Sequence, residues 1–233
     1  MGPAFCLSAI MKPGNSQAAA LVLLGAALAV STSGCRQHAD PSKVARVRVI
    51  DVAPGPEQLD FAVDLQTVAR HVKYQSNSGY IALDPGQYSL RVKTEDSNLR
   101  DEVSGELERG MSYTVLALAP RGDALSLKVI REDAEVDSPK DRAALRFIDA
   151  SNTPALSLAI DNVVAVDNLK RLKESRPLTL VPGDYEVKLW TGDDTAQLFG
   201  PTPIHLDPGR AYTLIAMGRR ADGTLTLQNY RDN

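Results

Sequence analysis

Residues 110–118 read GMSYTVLAL and residues 209–217 read GRAYTLIAM. Each run opens on a turn glycine, places a Tyr-Thr pair at the same point and is then apolar on both faces, as a strand in the middle of a sheet is. Working outward, RVID (48–51) aligns with RFID (146–149), LDFAVD (59–64) with LSLAID (156–161), LDPGQY (83–88) with LVPGDY (180–185), and LSL (125–127) with LTL (225–227). The five blocks keep their order at offsets of 97 to 100, so the chain is an internal duplication. One copy spans 45–133 and the other 143–233. Between them AEVDSPKDR (134–142) is charged, contains Ser-Pro and lacks an apolar period, which reads as a linker.

Within each copy the apolar period is two. ARVRVI (45–50), YSLRV (88–92) and YEVKL (185–189) alternate, and glycines at 86, 110, 183 and 209 punctuate the runs. Short alternating strands separated by turn signals predict an all-β fold with one sandwich per copy. One segment, 163–174, is read differently, as able to hold a helical turn.

Composition narrows the function classes. A chain of 233 residues, 43% hydrophobic and 24% charged, is globular and long enough for two cores. With 26 basic against 29 acidic residues it carries no basic field to recruit nucleic acid. Two cysteines build neither a disulfide scaffold nor a four-thiolate zinc site.

The first 34 residues read as an address. AAALVLLGAALAV (18–30) has no charge, and its thirteen residues fall short of the roughly 20 a spanning helix needs. Preceded by Lys12, it fits the apolar part of a secretory signal, and a start at Met11 would give that signal a more ordinary length. TSGC (32–35) resembles a bacterial lipobox, in which the cysteine thiol takes diacylglycerol and becomes the new N-terminus. Cys35 is therefore the expected lipidation site, with 35–44 the lipidated cysteine and its polar tether; plain secretion is the alternative. Cleavage there removes Lys12 alone among the charges, leaving 25 basic against 29 acidic residues and a net charge of −4. Arg36 in place of an aspartate resembles the sorting pattern of outer-membrane lipoproteins.

The combination of an RVIDVAPG opening (48–55), LDFAVD, Ser78-Gly79-Tyr80, a Pro-Gly-x-Tyr turn and a Gly-x-x-Tyr-Thr strand resembles the bacterial envelope domain family DUF4397. The first copy matches throughout, whereas the second has Arg176-Pro177 where the first has Gly79-Tyr80. The resemblance implies two tandem immunoglobulin-like or transthyretin-like β-sandwich modules after the signal segment, in secreted or anchored proteins, and implies no established enzymatic activity.

The residues themselves offer little chemistry. His71 and His205 do not align between copies, and no G-x-S-x-G, H-E-x-x-H or phosphate-binding loop is present. No catalytic residue, metal ligand or cofactor is assigned. The duplicated aspartates Asp51/Asp149 and Asp64/Asp161 sit at strand ends, where a carboxylate commonly caps backbone N–H groups. Trp190 is the single tryptophan, and alternation turns it outward beside Asp193-Asp194. Those three residues form the candidate binding patch, by stacking on a sugar or anchoring a protein partner; the plainer reading is a Trp that covers a strand end or packs at the module junction. The sequence thus reads as an extracytoplasmic, membrane-anchored lipoprotein that binds or scaffolds without catalysis, with envelope polysaccharide or another envelope protein as partner. Its rivals are a glycan hydrolase using Asp51 and Asp64, and a passive spacer.

Overall fold

The computed structural model describes residues 40, 42–55, 58–94, 100–119, 124–132, 140–193 and 196–232. The first copy folds as β1 (Ala45–Asp51), β2 (Leu59–Val63), β3 (Gln66–Val72), β4 (Ile81–Leu83), β5 (Gly86–Thr94), β6 (Arg100–Leu107), β7 (Ser112–Leu118) and β8 (Ser126–Glu132). The second repeats the order as β9 (Ala143–Asp149), β10 (Ala155–Ile160), β11 (Val163–Lys170), β12 (Leu178–Leu180), β13 (Gly183–Thr191), β14 (Gln197–Leu206), β15 (Arg210–Met217) and β16 (Thr226–Arg231). Each module is a sandwich of two four-stranded sheets, β4-β1-β7-β8 over β3-β2-β5-β6, and β12-β9-β15-β16 over β11-β10-β13-β14. The pairs β1/β7 and β9/β15 are parallel, and the remaining pairs are antiparallel.

Turn chemistry sets the hairpin registers. Asp161 and Asn162 both adopt positive φ (48° and 67°), the signature of a two-residue turn whose twist matches the flanking strands. Asp64 does the same at 53°. Each aspartate's Oδ1 then accepts a backbone N–H from the neighbouring strand, Ser89 in one module and Glu186 in the other, both at 2.9 Å. The 163–174 expectation is corrected: residues 163–170 are strand β11, paired along β10, and no helix occurs among the described residues. Register shifts between Leu156, Leu158 and Ala159 insert bulges there. The inward side chains Val166 and Leu169 thereby fall three apart, a spacing that imitates a helix.

Strand β7 is buried along its whole length and β15 from Ala211 onward, and the reason lies beyond either sandwich. Tyr113, Val115 and Ala117 fill the first module's core, and Tyr212, Leu214 and Ala216 fill the second's. The alternate side chains form a third core with members from both modules: Ile50, Val52, Leu116, Leu118 and Ile130 against Ile148, Ala150, Ile215, Met217 and Tyr230. Burying one Val, Leu or Ile contributes roughly 1.5–3 kcal/mol over leaving it exposed, so this face binds the modules together. Residues His38–Asn233 accordingly form one compact unit.

Below the apolar layer the same face turns ionic. Arg48 and Arg146 are only 1% and 4% exposed. Arg48 Nη2 meets Asp232 at 2.7 Å and Glu132 at 3.4 Å, while its Nε donates to Thr114 at 2.8 Å. Arg146 Nη2 donates to Thr213 at 2.7 Å and lies 3.3 Å from Glu132 and 3.7 Å from Asp232; its Nη1 is 3.5 Å from Glu174. Both arginines therefore reach carboxylates of both modules. Tyr80 closes the first half, its ring 4.6 Å beneath the Arg48 guanidinium and its hydroxyl donating to Glu132 at 2.6 Å. Burial pushes the Glu132 carboxyl up, but Arg48 and Arg146 beside it outweigh burial and hold it below the usual carboxylate range.

A buried ion pair adds little net stability when intact, yet removing one partner leaves an uncompensated charge and costs about 3–5 kcal/mol. Arg48→Met should therefore lower the unfolding free energy measured in urea by that much, with Glu132 and Asp232 left to Arg146 alone. Arg131→Met, which removes an exposed pair with Glu108, should shift it by less than about 1 kcal/mol in the same measurement.

Candidate functional site

Strand directions give each sandwich two ends. The chain arrives at the lower end, where β1 and β9 begin; the loops after β1, β7, β9, β13 and β15 lie at the upper end. Like ends lie together, because a narrow crevice of about 20 Å³ is walled by Val52, Pro54 and Leu118 of one module and by Ser151, Gly218 and Arg219 of the other.

In the second module Asp149 organises this end. Its Oδ1 accepts the Ser151 N–H at 2.9 Å and hydroxyl at 2.7 Å, and Arg171 Nε donates to the Ser151 carbonyl at 2.8 Å. Asn152 N–H then reaches the Gly218 carbonyl at 3.0 Å, tying the β9–β10 loop to the β15–β16 loop. Gly218 has φ 85° and lies so close to the Thr224 carbonyl that no Cβ would fit. The third wall is the β13–β14 turn, where a Cβ on Gly192 would sit 2.7 Å from both the Ala155 methyl and Asn168 Oδ1.

Between these walls lie two open, adjoining depressions that share Thr153, Pro154 and Thr191. The larger, of about 460 Å³, is completed by Asn152, Arg219, Arg220 and Ala221. The smaller, of about 330 Å³, is completed by Ala155, Asn168, Gly192 and Asp193. An apolar floor around Pro154, rimmed by guanidinium, amide and hydroxyl groups, suits a polar chain lying across the surface, since Arg groups bind carboxylates in a fixed bidentate geometry.

The sequence candidates distribute unevenly around this site. Asp193 lines the smaller depression and is exposed. Trp190 lies next to it in β13, half-buried and opposite in phase to the buried Val187 and Leu189, but does not line either depression. Asp194 and Cys35 fall outside the described residues, as do 95–96 and 133–139. Asp51 and Asp64 sit at opposite ends of the first sandwich, a strand of seven residues or about 20 Å apart, too far for the 5–9.5 Å of a glycosidase carboxylate pair. His205 is exposed at the lower end, paired with Asp184 at 2.7 Å, and that bond raises its pKa. Among the described residues no group of three His, Cys, Asp or Glu could hold a metal ion, and no helix is long and apolar enough to cross a membrane.

Sequence reasoning missed both the depressions and the ionic layer. The depressions are built from loops some 30 to 70 positions apart in the chain and leave no local motif. The ionic layer did leave a trace: Arg48/Arg146, Thr114/Thr213 and Glu132/Asp232 recur at offsets of 98, 99 and 100, the spacing of the duplication itself.

The model of the domain of unknown function DUF4397 matches the chain twice, over residues 45–159 and 150–233. The chain belongs to the DUF4397 family. No protein of curated function matches it in sequence. Among solved structures, a candidate cell adhesion protein of Bacteroides uniformis covers 83% of this chain and 99% of its own, at 7% identity and a TM-score of 0.29. A second candidate cell adhesion protein, of Bacteroides fragilis, covers 81% and 98%, at 10% identity and a TM-score of 0.23. At such TM-scores neither neighbour bears on what this DUF4397 protein binds.

Burial raises the Asp51 carboxyl to about 7 and the Asp149 carboxyl to about 6, against the hydrogen bonds from residues 53 and 151 that favour ionisation. In this window the folded state holds protons that the unfolded chain has released, so each group's cost is absent below about pH 4 and complete above about pH 7. Asp51→Asn should therefore gain stability relative to the unsubstituted protein as pH rises from 4 to 7. Melting temperatures across that range check it, and a constant difference would contradict it. Gly192→Val, which needs space already held by Ala155 and Asn168, should lower the melting temperature by several degrees and splay the β13–β14 wall.

Proposed function

We propose that this DUF4397 protein is a non-catalytic binding lipoprotein of a bacterial envelope, held by diacylglycerol on Cys35 to the extracytoplasmic face of a membrane, the outer membrane where the organism has one. Residues 36–44 serve as tether, and the upper end of the second module presents its depressions to an acid-bearing envelope polysaccharide. The observation that carries this reading is the open, arginine-rimmed depression around Pro154 at the end of the sandwich away from the arriving chain. Arg219 and Arg220 supply charge-assisted donors, Asn152 and Thr191 neutral ones, and Pro154 and Ala221 an apolar floor. Trp190, next to Thr191, serves as the reporter of occupancy.

Two measurements test it. In cells, labelled fatty acid should enter the protein and should fail to enter the Cys35→Ser variant. In solution, residues 36–233 should shift their Trp190 emission on titration with acidic polysaccharide fractions. A charge-assisted hydrogen bond is worth about 1.5–3 kcal/mol, so Arg219→Ala with Arg220→Ala should weaken that binding about tenfold or more. Saturable binding that neither substitution alters would remove the depression from the account, and indifference to every fraction would leave a spacer or a protein partner.

A further inference from the structure

Four large apolar side chains stand out as exposed among the described residues: Leu65 at 91%, Val163 at 68%, Val181 at 57% and Val164 at 48%. Single exposed apolar residues scattered over a surface need no explanation. These are not scattered. Leu65 is at the tip of the β2–β3 hairpin, Val163 and Val164 follow the β10–β11 turn, and Val181 precedes β13, so all four lie at the lower end of their module. Because like ends lie together, they face one side of the molecule.

The chain arrives on that same side. Residues 42–44 lie against it, with Gly110 N–H donating to the Val44 carbonyl, and Lys43 N–H donates back to the Asp40 carbonyl, each at 2.9 Å. Cys35 lies five residues before Asp40. At no more than about 3.6 Å per residue, that length spans at most about 18 Å. The nine residues of β5 alone extend about 30 Å, so a lipid on Cys35 reaches the lower end and not the upper one.

We propose that the lower end rests on the lipid surface itself, with Leu65, Val163 and Val181 dipping among the headgroups, so that the anchored protein stands upright and carries the depression outward. The inference rests on the lipidation of Cys35 proposed above. A short tether gives the apolar tips a high effective concentration at the bilayer, where even a weak contact is populated. Exposed charges at this end carry both signs, among them Lys43, Arg109, Lys140 and Arg210 and the acids Asp64, Asp84, Glu108, Asp161 and Asp184, so the contact needs no anionic lipid.

The test supplies the lipid chemically, so it reads the contact whatever happens to Cys35 in cells; the fatty-acid labelling reads lipidation separately. Residues 35–233 contain one cysteine, which is coupled to a maleimide phospholipid in phosphatidylcholine vesicles containing brominated acyl chains. Leu65→Trp in a Trp190→Phe background should lose most of its emission to bromine quenching, and Val181→Trp in the same background should repeat the result. The unsubstituted protein, reporting from Trp190, should lose little. Adding phosphatidylglycerol should change none of these values. Equal quenching at positions 65 and 190, no quenching at positions 65 and 181, or quenching that requires anionic lipid would each overturn the proposal.

Discussion

The pairing of Arg48 and Arg146 with Glu132 and Asp232 is the constraint on which the molecule's organisation depends. Each guanidinium is buried, and each reaches carboxylates at the ends of β8 and of β16. Charges taken out of water at such cost persist only where their partners are fixed in place. The geometry therefore admits essentially one way of docking the two modules. The apolar layer of Ile50, Leu116, Ile148 and Ile215 above it supplies attraction with little directional preference, and the ionic layer supplies the register.

Duplication explains how such a face arises. Two copies of one module present the same sheet, with the same Arg on the first strand, the same Thr on the seventh and an acid at the end of the eighth. Meeting face to face, the copies let each arginine find the acid of the other. The match is not perfectly symmetric. Tyr80 lies under Arg48 and bonds Glu132, whereas on the other side Glu174 approaches Arg146. The departure of Arg176-Pro177 from Gly79-Tyr80 thus falls beside the interface, where each copy completes its own half differently.

Much of the fold was legible in the sequence, and the limits were physical ones. The two-residue period, the Pro-Gly turns and the five aligned blocks predict an all-β chain with one sandwich per copy, because strand pairing and turn geometry are encoded locally. The burial of SYTVLAL and AYTLIAM on both faces was also visible, but a run apolar on both faces says only that something covers the second face. Arg48 and Thr114 could not announce that the cover was the other copy. The 163–174 segment misled because bulges in β10–β11 break the period of two. The site was less legible: Asp193 does line a depression, while Pro154, Arg219 and Arg220 come from loops whose proximity depends on the whole second sandwich.

Hydrogen exchange under native conditions, read by mass spectrometry over β7 and β15 in one sample, tests the shared interface most directly. If the third core and its ionic layer join the modules into one cooperative body, the slowest amides of both strands will exchange with the same free energy, equal to that of global unfolding. A second module that opens at clearly lower free energy than the first, or the reverse, would contradict the account.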